Sequence, residues 1–217
     1  MNQSRLRFAL AIPFLLLPST ALVFWLAVQF VGREGGYLIG FGFYWLFWCL
    51  LVPWLLLGES GFTSLLTDHT QLFTRHNWLA ALLWLVVTVV TVFMYGQDFV
   101  HALLVLILVA IPLAIVNGVC EEMLWRGLYV HLFSNRPWLG IVYPSIGFAL
   151  WHFAPQIALP DENGIEFVIS TLFLGLAYGY IAYRTGSAKW TAISHSLNGI
   201  LALSGMLGPS ILKLLGR

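Results

Sequence analysis

Long apolar runs separated by short polar stretches dominate this chain of 217 residues. A membrane crossing takes about 20 mostly apolar residues. On that measure the pattern predicts spans at 8–31, 37–57, 78–96, 99–118, 139–159, 166–183 and 190–207. A further apolar helix, 119–133, opens on two glutamates and follows Asn117-Gly118; with Pro112 nearby, a kink or break is expected there. The tail at 208–215 reads as re-entrant or interfacial. The polar stretch 58–77 reads as an interfacial connection, with Leu65, Leu66, Leu72 and Phe73 dipping towards the headgroups. The fold class that follows is all-α: a polytopic transmembrane bundle of about 7–8 membrane helices. It forms one integral membrane domain over 1–217, with N-terminal spans at 1–98 and a motif-bearing core at about 99–207.

Composition agrees with this picture. The chain is 60% hydrophobic and only 9% charged, whereas a soluble domain carries roughly a quarter charged residues. A net charge of +1 without a basic patch gives no sign of a nucleic-acid partner. Cys49 and Cys120 lie in apolar runs and read as small buried hydrophobes. The run from Phe8 to Val31 is too long for a signal-peptide core and is expected to stay as a first span. Arg5, Arg7, Arg75, Arg126, Arg136, Arg184 and Lys189 fall on one side if the N-terminus is cytoplasmic, against Arg33 on the other; Lys213 and Arg217 fit either side. The expected location is a cell membrane, a bacterial inner membrane, crossed several times with the N-terminus inside. Gly36-x-x-x-Gly40 and Gly175-x-x-x-Gly179 put small residues on one helix face, where neighbouring helices approach closely.

Against this background three polar clusters stand out: Glu121-Glu122 with Arg126, His152, and His195 with Asn198. An ionisable group in hydrocarbon is costly, which makes each a candidate functional position. Glu122 and Arg126 are four apart and suit an ion pair on one helix face. Glu121 points about 100° away from its neighbour and is free to act as a general base. His195 and Asn198, three apart, suit two donors aimed at one oxyanion. For each cluster a plain structural reading competes: an interfacial charged cluster, a histidine satisfied by a carbonyl, an interhelical polar clasp. His69, His76, Asp98, His101 and His131 carry no comparable signal. Zinc, paired-aspartate and serine-nucleophile motifs of other intramembrane proteases are absent from the sequence. Ser194 and Ser196 point away from His195 on a helix.

These residues resemble the CAAX prenyl protease and bacteriocin-processing family of intramembrane glutamic endopeptidases. The likeness is carried by Glu121-Glu122-Met-Leu-Trp-Arg126, by Phe148-Ala-Leu-Trp-His152 and by His195. The family's third motif has Asn or Asp four residues after the histidine; here that position is Gly199 and the amide lies one earlier, at Asn198. The resemblance covers about 100–205. It implies water activated by Glu121 with His152 as its partner, His195 and Asn198 as oxyanion donors, and Glu122 and Arg126 in support.

The function expected is hydrolysis of a peptide bond in a membrane-anchored peptide or protein substrate, within the lipid bilayer and without a cofactor. Two alternatives stand beside it. One is a non-catalytic bacteriocin-immunity or scaffold protein of the same fold. The other is a site for a divalent metal such as zinc, held by Glu121, Glu122, His152 and His195. The sequence specifies neither substrate nor oligomeric state. Straight helices put Glu121 near the inner face but His152 about 20 Å from the cytoplasmic start of its span. Convergence therefore requires a break at Asn117-Gly118 or a span start shifted by Pro144.

Overall fold

A computed structural model describes residues 3–206. The tail at 208–215, Lys213, Arg217 and the last residue of the expected span 190–207 lie outside the described residues. The described chain is helical: α1 (Gln3–Phe43), α2 (Val52–Ser64), α3 (Trp78–His101), α4 (Leu104–Glu122), α5 (Tyr129–Leu132), α6 (Tyr143–Trp151), α7 (Gly164–Thr185) and α8 (Lys189–Met206). Three wider, π-helical segments, Tyr44–Leu51, Met123–Leu128 and Trp138–Val142, interrupt the series. No strand occurs among the described residues.

Four helical runs are long and apolar enough to cross a membrane: Gln3–Ser64, Arg75–His101, Leu104–Leu132 and Gly164–Thr185. The outer surface matches a lipid environment, since Phe30 and Phe93 each leave 83% of their surface uncovered. The chain is thus a membrane protein. The first run contains 62 residues, more than one crossing needs, and it bends at two glycines. Gly32 has φ 80° and Gly58 has φ 72°, a backbone region that a residue with a Cβ seldom enters. Beyond Gly32 the chain folds back, so that Phe24 meets Tyr37 and Phe41 with ring centroids 6.3 and 5.8 Å apart.

Both small-residue pairs serve packing within the chain. A Cβ on Gly36 would strike the Val28 backbone at 2.7 Å, and one on Gly40 would overlap the Phe24 ring. On α7, a Cβ on Gly175 would sit 3.1 Å from Ser145 and one on Gly179 would sit 2.9 Å from Ile141.

The main core joins the N-terminal helices to the motif-bearing ones. Ile12 and Leu16 of α1, Tyr44 and Trp48, Leu124 and Trp125, and Phe148 and Trp151 are buried together. Several polar tips in this core find partners, although Trp151 Nε1 is buried without one. Trp125 Nε1 donates to Tyr44 Oη at 2.7 Å and Tyr129 Oη donates to the Ala9 carbonyl at 2.8 Å, while Tyr143 Oη donates to the Leu10 carbonyl.

The expected break at Asn117-Gly118 does not occur. Helical structure continues from Leu104 to Leu132, and the separate helix expected at 119–133 is the end of this run. Gly118 is needed for approach rather than for a turn. A Cβ there would come within 2.7 Å of the Ser196 backbone nitrogen, at the crossing of α4 and α8. The one departure from α-geometry comes after the glutamates, in the π-helical segment carrying Arg126. Such wide turns recur at functional positions.

The 58–77 connection is also more structured than expected. Leu65 and Leu72 are buried in protein, whereas Phe73 is exposed. Its backbone docks on the turn between α7 and α8: Ala188 N–H donates to Leu65 O at 2.8 Å, and the N–H groups of His69 and Thr70 donate to Thr185 O at 2.9 and 3.1 Å.

Candidate functional site

Continuity of the 104–132 run brings the three motifs to similar depth. Counting at 1.5 Å per residue, Glu121 lies about 16 Å from the end of its run at Leu132, and His152 about 21 Å from the start of its own at Trp138. These two ends are joined by a short turn, so they lie at one end of the bundle. The offset expected from straight helices therefore disappears, with no break at Asn117-Gly118 required.

Glu121 and Glu122 are both buried, and so is Arg126. Arg126 Nη1 donates to Glu122 Oε1 at 2.9 Å, the ion pair expected from their spacing. The guanidinium also lies over the Phe148 ring, 4.2 Å from its centroid, which gives a weakly hydrated cation an apolar face to rest on. Glu121 does not share this arginine. Its Oε2 accepts from Asn117 Nδ2 at 3.3 Å and lies 3.5 Å from His195 Nε2. Its Oε1 is buried without a hydrogen-bond partner in the protein.

His195 bridges the two carboxylates. Nδ1 lies 2.9 Å from Glu122 Oε1, and Nε2 faces Glu121. An acceptor-only carboxylate requires Nδ1 to carry a proton when Glu122 is ionised. The ring therefore presents its other nitrogen to Glu121.

His152 caps α6. Its Nδ1 donates to the Phe148 carbonyl at 2.8 Å; a carbonyl only accepts, which leaves Nε2 as the acceptor of the neutral ring. It packs edge-on against Phe148 at 4.6 Å, and His195 meets the same Phe148 ring at 6.2 Å. The two imidazoles thus share contact with one aromatic residue. His152 joins the cluster through that ring and not through a hydrogen bond to Glu121.

Asn198 lies a turn further along α8. Its Nδ2 donates to Tyr178 Oη at 2.9 Å, Tyr178 Oη donates to Ser194 Oγ at 2.9 Å, and Ser194 meets Thr88 at 3.1 Å. Asn198 Oδ1 is buried without a partner. The Tyr178 ring lies 5.9 Å from the His195 ring, so the amide is one tyrosine removed from the carboxylates. Gly199, where the motif pattern has an amide, faces α4: a Cβ there would lie 3.0 Å from Ala114 Cβ. The amide stands one position earlier because the position after it is occupied by a helix crossing.

Glu121, Glu122, Arg126 and His195 are in direct contact, and His152 and Asn198 flank them. Sequence reasoning missed Asn117, Tyr178 and Ser194 as partners. Asn117 had a readable signal, standing one helical turn before Glu121 on the same face. Tyr178 and Ser194 had none, because their pairing depends on how α7 meets α8. Among the described residues no group of three or more His, Cys, Asp and Glu side chains is arranged to hold a metal ion.

Residues 102–201 match the family model described as type II CAAX prenyl endopeptidase Rce1-like. The matched stretch contains all six site residues, and the match bears out the family resemblance read from the motifs. No curated protein and no solved structure matches the chain.

Proposed function

We propose, from the type II CAAX prenyl endopeptidase match over residues 102–201, that this membrane protein is an intramembrane peptidase of the glutamic type. It hydrolyses a peptide bond in a membrane-anchored substrate. One observation carries the reading: of two buried carboxylates that each keep one oxygen unpaired, Glu121 is the one without an arginine. Oε2 is held by Asn117 and His195, while Oε1 is buried and unpaired. A buried acceptor without a partner is costly. An oxygen of this kind suits a base that takes a proton from water.

In this reading Glu121 Oε1 removes the proton as the water oxygen attacks the peptide carbonyl, and His152 Nε2 orients that water. The developing oxyanion draws N–H donors from His195 and Asn198. The 3.5 Å separation of His195 Nε2 from Glu121 is long for a hydrogen bond. Once Glu121 has accepted the proton its hold on a protonated ring falls, and that N–H turns to the oxyanion. Glu122 and Arg126 keep His195 in register. The Gln3–Ser64 run is read as two crossings folded at Gly32, and the shorter α6 and α8 as membrane-embedded helices completing a bundle of seven to eight. The lysine and arginine distribution supports a cytoplasmic N-terminus.

The test compares membrane peptides from cells carrying the wild-type chain and Glu121→Gln, alongside purified protein given a peptide that ends in a prenylated cysteine motif. Fragments present only with the wild type support the reading. Identical peptide profiles, with no cleavage by either protein, reject it.

A further inference from the structure

We infer that Trp45 and Asn117 form a positioning relay that fixes which oxygen of Glu121 meets the reacting water. The N-terminal half, outside the matched residues 102–201, is then part of the catalytic apparatus. The inference rests on Glu121 as the base.

The relay is directional because of its first member. An indole nitrogen only donates, and Trp45 Nε1 lies 3.0 Å from Asn117 Oδ1. That contact fixes the amide: Oδ1 must face the indole, so Nδ2 must face the other way. Nδ2 is the group that reaches Glu121 Oε2 at 3.3 Å. Were the indole N–H absent, the amide would gain freedom to rotate and present its own oxygen to the carboxylate, an acceptor against an acceptor. With the amide fixed, Oε2 accepts from Asn117 and faces His195 Nε2 at 3.5 Å, and Oε1 is the oxygen left for chemistry.

Both members are held by ordinary packing. Trp45 belongs to the π-helical segment Tyr44–Leu51, whose neighbouring residues Tyr44 and Trp48 are buried in the main core. Its ring also packs on Phe41 at 5.3 Å. Asn117 shares the α4 face of Glu121 one turn earlier. No contact between Trp45 and Glu121 is required, so Trp45 acts through the amide alone.

The experiment uses full-length protein in lipid and the variants Trp45→Phe, Asn117→Leu and Glu121→Gln. Trp45→Phe keeps an aromatic ring against Phe41 and removes the donor. Infrared difference spectra identify the Glu121 carboxyl band as the one lost in Glu121→Gln. The relay predicts that this band shifts in Asn117→Leu and also in Trp45→Phe. In cleavage assays on the prenylated peptide, kcat falls about 10-fold to 100-fold in both variants while KM is unchanged. In the double variant Trp45→Phe adds nothing to Asn117→Leu. A band unmoved in folded Trp45→Phe overturns the relay. Shifted bands without cleavage by any protein reject the peptidase reading and leave the relay standing.

Discussion

His195 Nδ1 lies 2.9 Å from Glu122 Oε1, the same oxygen that accepts from Arg126 Nη1 at 2.9 Å. One carboxylate oxygen therefore joins a guanidinium on its own helix run to an imidazole on α8. Removing either partner leaves a buried carboxylate with one donor in place of two. Arg126→Met is expected to destabilise the protein by about 3–5 kcal/mol, as for a broken buried ion pair. Adding Glu122→Gln should recover part of that loss. Unfolding of the purified variants in detergent measures both, and a double variant no more stable than the single would contradict this account.

Glu121→Gln keeps the size of the side chain and its bond from Asn117 but cannot take up a proton. Cleavage should fall by about 10²–10⁴-fold, the usual contribution of a general base, with no loss of folded protein. Rates of fragment release by matched amounts of the two proteins provide the comparison. Glu122→Gln should cost less in rate and more in stability, because Glu122 serves the arginine and His195.

The crossing of α4 and α8 depends on Gly118 and Gly199. Gly118→Val brings a side chain against the Ser196 backbone, 2.7 Å from where its Cβ would stand. Overpacking of this kind costs about 1–3 kcal/mol. Gly96→Ala is the contrast, since a Cβ there would only touch Val92 at 3.7 Å. In a helix that change should stabilise by about 0.5–1 kcal/mol. Thermal unfolding of the two variants side by side reads the difference.

Asn198 cannot be exchanged for an amide at the next position. Asn198→Ala removes the bond to Tyr178 and should lower cleavage about 10²-fold if the amide assists the oxyanion. Asn198→Ala with Gly199→Asn should not recover it, because Gly199 faces Ala114 across the helix crossing. Recovery of activity in that double variant would show that the α8 register is looser than this packing implies.

Dialysis against a strong chelator, followed by elemental analysis, addresses the metal alternative. Cleavage is expected to be unchanged by the chelator. Loss that zinc restores would assign Glu121, Glu122 and the histidines to metal binding instead.

Much of the site was legible in the sequence because its polar residues stand in apolar runs. Glu122 and Arg126 were paired correctly from spacing alone, since four residues make one helical turn. What the sequence concealed was relative placement. Asn117-Gly118 resembles a helix stop, yet Gly118 is there to let Ser196 approach, and an unbroken helix and a broken one share that dipeptide. The Tyr178 bond to Asn198 depends on the crossing of α7 and α8, which no local pattern encodes. The polar connection at 58–77 was read as interfacial because its charges are visible, while the docking of Leu65 and Thr185 depends on backbone groups that every residue has.

That docking has a practical corollary for anyone handling the protein. Three main-chain hydrogen bonds fasten 65–70 to the bend between α7 and α8, so a reporter or affinity tag spliced there would pull Leu65 and Ala188 away from Gly127, the neighbour of Arg126. The exposed 160–163 segment offers a safer insertion point.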